Sequence, residues 1–314
     1  MKQLIAVLTA FALLALAPAA AAVPDPGRAA VIDPPRDARH PARNQQLLID
    51  SHGSKMNALF FLAAGAGPHP TMVLLHGLPG NERNLDLAQA VRRAGWNVLT
   101  FTYRGAWGSE GDFSIDNSLA DVDAAVTFLR SAEAVRAYGI DSGRLVVAGH
   151  SMGGYAAASF AAHDFRRREQ SAAAPRTQPL AGVILLDAWD IAGDADRTRA
   201  AGAAGRAAMI AGLDDFGRAL HGATPESVTD EIITNGHAWS LAGLVPWLAR
   251  TPLLTIYATH GGAAENRVLA EALRREGARL TAREIDSDHG FADHRIALSM
   301  EVVRWLRERV PGRR

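Results

Sequence analysis

Short apolar runs alternate with helical patterns through the middle of this chain, and that alternation narrows the fold more than any other feature. Runs at 72–75, 98–101 and 145–148 have strand length. Between them, residues 82–94 and 116–130 carry the spacing of amphipathic helices, the first stopped by Gly95 and the second opened by Asp116 as a cap. Strands that are apolar along their length are buried on both faces, which places them in a parallel sheet covered by helices on each side. Further strands are expected at 183–186, 253–257 and 280–285, and amphipathic helices at 269–276 and 296–310. Segments 46–50 and 56–62 flank a polar turn and predict an antiparallel hairpin at the start of the sheet. The stretch 187–250 is too long for one crossover helix. With helical segments near 198–211 and 225–234, it reads as a small helical cap at about 188–250, inserted between late strands. The fold class expected is α/β: a doubly wound, mostly parallel sheet with that cap.

The ends of this domain are marked by composition. Lys2, an apolar run at 4–16 and the small residues Ala20, Ala21 and Ala22 have the form of a signal peptide, expected to occupy residues 1–22. The run is short for a bilayer span, so a secreted or periplasmic protein without stable membrane association is expected. Residues 23–44 carry five prolines and read as an extended leader, leaving 45–314 for the α/β domain with its cap. Cysteine is absent, which excludes disulfides, thiolate metal sites and a cysteine nucleophile. Net charge is zero, so no overall field favours nucleic acid. No HExxH, phosphate-cradling loop or dinucleotide fingerprint appears, and neither a metal nor an organic cofactor is expected.

Three loops carry residues suited to chemistry. Gly149-His150-Ser151-Met152-Gly153-Gly154 follows the strand at 145–148 directly. A G-x-S-x-G pattern is weak alone; between a buried strand and a helix it becomes a tight bend that lifts a serine hydroxyl above the sheet. His76-Gly77-Leu78-Pro79-Gly80 follows the strand at 72–75 and can aim a backbone N–H at the same space. Acyl transfer needs two such donors for the developing oxyanion, and the amides of Leu78 and Met152 are the candidates. His76 itself reads as a brace for its loop. Asp288-His289-Gly290-Phe291 follows the last strand, and His289 supplies an imidazole able to take the serine proton near neutral pH. His294 reads as the start of the final helix.

In the order of these loops the chain resembles the α/β-hydrolase superfamily, its serine esterases and prolyl-oligopeptidase-like enzymes in particular, over roughly residues 45–310. The resemblance implies Ser151 as nucleophile, His289 as base, and Leu78 and Met152 as oxyanion donors. The segment from Tyr103 to Ser109 looks like a loop of this superfamily, with Arg104 paired to Asp116 or Asp121 for structure. The acid of the triad usually follows the penultimate strand, and here that stretch, Tyr257 to Glu265, contains no aspartate. Asp187, which closes the preceding strand, ranks first as substitute, then Glu265, then Asp190. Trp107, Trp189, Trp239 and Trp247 are candidates for an apolar acyl pocket. No run of acidic residues marks a pocket for a cationic amine.

The activity expected is therefore that of a secreted serine hydrolase cutting carboxylic esters through an acyl-serine intermediate. A prolyl-oligopeptidase-type peptidase or aminopeptidase is the alternative on the same scaffold, and a non-catalytic binding protein a third. The substrate expected is a small ester or a short peptide.

Overall fold

A computed structural model describes residues 25–170, 178–213 and 219–310. The segment read as a signal peptide lies outside them. Eight strands form one sheet in the order β1-β2-β4-β3-β5-β6-β7-β8. Strand β1 (Arg43–Ser51) turns through His52 and Gly53, both at positive φ, into β2 (Ser54–Leu62), and this hairpin pairs antiparallel with the rest. From β4 (Asn97–Phe101) through β3 (His69–Leu75), β5 (Ile140–His150), β6 (Gly182–Leu186), β7 (Leu253–His260) and β8 (Leu280–Asp288), all neighbours are parallel.

Alternation along each central strand divides the interior into two cores. Val73, Leu75, Val147, Val183 and Leu185 face one side, against α3 (Ile115–Arg130), α5 (Met152–Gln170) and α10 (Ala263–Arg275). Met72, Leu74, Val146, Ala148, Ile184 and Leu186 face the other, against α2 (Leu85–Arg93) and α11 (Arg295–Arg309). With no polar face to offer water, these strands are stable only between two helical layers.

Local chemistry explains where the elements depart from expectation. The cap of α3 is Ser114, not Asp116: its hydroxyl accepts from the Asn117 N–H at 2.9 Å, and Asp116 falls in the first turn. A short helix, α4 (Ala132–Tyr138), stands between Ser131 as cap and Gly139 in left-handed conformation, where no helix was anticipated. The leader is not wholly extended. Asp25 caps a helix, α1 (Pro26–Val31), whose Ala29 is buried against α11 and whose carbonyls receive the Arg93 guanidinium.

Between β6 and β7 lies the helical insertion. The helix expected over 198–211 is divided into α6 (Ile191–Ala200) and α7 (Gly202–Gly212), because Gly202 takes φ +58. Then come α8 (Pro225–Asn235), a 3-10 turn (Gly236–Ala238) and α9 (Leu241–Leu248). Helix α9 drives Leu241, Val245 and Leu248 into the core beside α5. No helix among the described residues is long and apolar enough to cross a membrane.

Candidate active site

Ser151 occupies the single residue between β5 and α5, at φ +58. A non-glycine residue held there stores roughly 1–3 kcal/mol, and the surroundings must impose it. They do: Ser151 N–H donates to the Leu186 carbonyl and its own carbonyl accepts from Trp189 N–H, each at 3.0 Å. The glycines around it are steric necessities. A Cβ on Gly149 would meet the Gly153 carbonyl at 1.9 Å, and one on Gly153 would meet the His76 carbonyl at 2.5 Å.

His289 follows β8. Its Nδ1 donates to Asp187 Oδ2 at 2.6 Å, because a carboxylate can only accept, and this leaves Nε2 without a proton in the neutral ring. Asp187 directly follows β6 at φ +42 and is fully buried. Its carboxylate also accepts from the N–H groups of Ala258, at 3.1 Å, and Gly262, at 2.9 Å.

Asp187 thus stands against the imidazole although the stretch after β7 holds no aspartate. The loop there contains Gly261 and Gly262 because it cradles a carboxylate delivered from the neighbouring strand. A Cβ on Gly261 would stand 2.2 Å from Asp187 Oδ2. The glycine pair was the sequence signal that could have ranked Asp187 with more force. The other two carboxylates go elsewhere: Glu265 lies 3.5 Å from Arg197, and Asp190 precedes α6, half-buried, with burial raising its carboxyl above the usual range.

Ser151, His289, Asp187 and Leu78 line one cavity of about 350 Å³. The Met152 amide, first in α5, has no intrahelical acceptor. A larger cavity of about 550 Å³ lies against the outer strands beside His76, Arg83 and Trp107, and includes neither Ser151 nor His289. Of the two, the smaller is the one that gathers Ser151, the His289 imidazole and Leu78 on a common wall.

Two further histidines brace this site. His76 is buried, its Nδ1 donating to the Gly77 carbonyl at 2.6 Å and its ring against Tyr103, whose hydroxyl donates to the His76 carbonyl at 3.1 Å. Burial holds its imidazole down at about 4, so it is neutral. His150 is likewise held at about 4 by burial. Its Nε2 donates to the His289 carbonyl at 2.7 Å. His294 precedes α11 and contacts Asp293 at 3.0 Å. Arg104 pairs with the fully buried Asp121 at 2.5 Å, not with Asp116.

The tryptophans divide. Trp189 lines the cavity, as does Leu213. Trp239 is buried in the core, Trp247 lies against Phe165 and Arg166, and Trp107 donates to the Pro79 carbonyl at 2.8 Å from the neighbouring groove. Among the described residues, the cavity wall also gathers Asp190, Asp194 and Glu265 with Arg197. No acidic run foretold this grouping, because the insertion and α10 bring the carboxylates together from separate positions.

A model described as the alpha/beta hydrolase family matches residues 72–301. No curated protein matches the sequence. Among solved structures, Est1E from Butyrivibrio proteoclasticus is similar with a TM-score of 0.61 at 14% identity, over 85% of this chain and 99% of that one. Brefeldin A esterase, a bacterial homologue of human hormone sensitive lipase, aligns with a TM-score of 0.59 at 20% identity, over 89% and 80%. The acylaminoacyl peptidase of Pyrococcus horikoshii aligns with a TM-score of 0.57 at 14% identity, over 84% of this chain and 41% of that one.

Proposed function

The chain belongs to the alpha/beta hydrolase family, and from that premise we propose that it is a secreted or periplasmic serine hydrolase of carboxylic esters. The observation that carries the reading is the buried Asp187 carboxylate on His289 Nδ1, with Ser151 on the wall of the same cavity. In acylation, His289 Nε2 takes the Ser151 hydroxyl proton while Oγ bonds to the ester carbonyl carbon. The carbonyl oxygen becomes an oxyanion facing the Leu78 and Met152 amides. The tetrahedral centre collapses, the ester C–O bond breaks, and His289 returns the proton to the departing alkoxide. Water then repeats the sequence on the acyl-serine, releasing the acid. Asp187 holds the ring's orientation and faces the imidazolium that forms.

Ser151→Ala is expected to abolish hydrolysis of short p-nitrophenyl esters, and a fluorophosphonate is expected to label Ser151 stoichiometrically. Retained turnover in the variant would overturn the reading. Export is supported by Lys2 and the apolar run at 4–16; amino-terminal sequencing of protein recovered outside the cytoplasm is expected to begin near Val23.

A second reading, a peptidase acting near an amino terminus, draws on the carboxylates of Asp190, Asp194 and Glu265. Faster turnover of aminoacyl anilides than of any ester would favour it.

A further inference from the structure

We propose that His150 is a positioning residue that sets the catalytic base in place: it ties the backbone of His289 to the turn that carries Ser151. The inference rests on the serine-hydrolase reading for its catalytic consequence, though not for its geometry.

His150 immediately precedes Ser151, and its side chain runs away from the substrate cavity to the loop after β8. There its Nε2 meets the His289 carbonyl at 2.7 Å, across 139 positions of sequence. A carbonyl only accepts, so Nε2 carries the proton and donates. The two imidazoles are tilted against each other, with centroids 4.6 Å apart and planes 39° apart, and Phe291 closes the edge at 6.3 Å.

His150 is 5% exposed whereas the His289 side chain is 49% exposed. The base is thus a half-open side chain whose ring is steered on one nitrogen by Asp187 and whose backbone is steered by a buried neighbour. Arg295 holds the next residue of the loop, donating to the Gly290 carbonyl at 2.7 Å. Asp187 is itself linked to the turn of Ser151 through Leu186 and Trp189, whereas the His150 bond comes directly from the residue before Ser151 and so acts on the spacing between base and nucleophile.

Neutral or protonated, the ring can donate from Nε2, and here it is neutral. The charged or titratable groups that act on it are His289, Asp187 and Arg295. Burial outweighs them and keeps the ring uncharged. A neutral ring against His289 leaves room for the imidazolium that forms during turnover, where a cation in its place would repel it. Nothing in the resting geometry gives His150 contact with a substrate, since its donor is spent on the His289 carbonyl.

Two variants of similar volume separate the donor from the packing. His150→Gln keeps an N–H able to reach the carbonyl, and His150→Met removes it. With a short p-nitrophenyl ester, His150→Gln is expected to keep kcat within about threefold. His150→Met is expected to lose about tenfold or more in kcat with KM unchanged, both variants melting as cooperatively as the parent. Equal kcat in the two variants would overturn the proposal, as would a loss confined to KM.

A readout independent of turnover uses the full chain carrying Ser151→Ala. The imidazole proton shared by His289 and Asp187 is expected as a far-downfield proton resonance, retained with His150→Gln and broadened away with His150→Met. An unchanged resonance with His150→Met would defeat the positioning role. If the parent protein hydrolyses no ester or amide and the resonance still follows the donor, the serine-hydrolase reading fails and the tie stands.

Discussion

Asp187 and His289 meet at 2.6 Å although they stand 102 positions apart and only one of them sees solvent. The carboxylate faces three donors, His289 Nδ1–H and the amides of Ala258 and Gly262, and both of its oxygens are used as acceptors. Asp187→Asn would place an amide NH₂ against at least one of them and favour the wrong imidazole tautomer. Removal of the equivalent charge in serine triads costs about 10⁴-fold in kcat. A loss of about 10³- to 10⁴-fold is expected here, measured with saturating p-nitrophenyl acetate, with fluorophosphonate labelling of Ser151 slowed in parallel.

Glu265→Gln and Asp190→Asn provide the contrast. Glu265 contacts Arg197 and Asp190 stands before α6, so neither holds the imidazole. Each variant is expected to hydrolyse a neutral ester within about threefold of the parent rate. A loss comparable to that of Asp187→Asn would show that the wrong carboxylate has been assigned. The same pair, measured on an ester bearing an amine, reads whether the acidic wall recognises a cation.

Gly77 offers a steric test that leaves the triad untouched. A Cβ there would stand 2.9 Å from Ser151 Cβ and 3.3 Å from its Oγ. Gly77→Ala is therefore expected to crowd the nucleophile, lowering kcat/KM by about tenfold or more while the thermal midpoint moves by only a few degrees. Undiminished activity would mean that the 76–80 loop does not stand over Ser151 as described.

Much of this site was legible because its parts are local. The bend at Ser151 follows from a buried strand, two glycines and a helix, all within a dozen residues. The same holds for the loops bearing His76 and His289, each placed by the strand before it. The acid was harder, because its partner loop is read only when β6 and β7 are known to be neighbours. Once they are, Gly261 and Gly262 are intelligible as the space for a carboxylate from next door. The carboxylates around Arg197 and the bond from His150 to His289 could not be read in advance at all, since both depend on how the insertion and the last loop pack. The break at Gly202 and the cap at Ser114 are set by single residues, which the helical periodicity around them masks.

His76 and His150 also give the fold a pH dependence whose direction can be worked out. Both are held near 4 by burial, against 6.5 for an exposed imidazole, and each has one ring nitrogen with no hydrogen-bond partner among the described residues. Between those values the unfolded chain binds protons that the native state refuses. Stability therefore falls as pH drops from about 6.5 toward 4, by at most about 3 kcal/mol for each residue, and is unaffected by either above that window. Asp190 and Glu231, whose carboxyls burial raises, act in the opposite sense at the acidic end. Urea midpoints taken from pH 7.5 to 4.5 are expected to decline over this range. His150→Gln should flatten the slope by about one proton, near 1.4 kcal/mol per pH unit. If parent and variant decline with equal slope, His150 is not held neutral by burial.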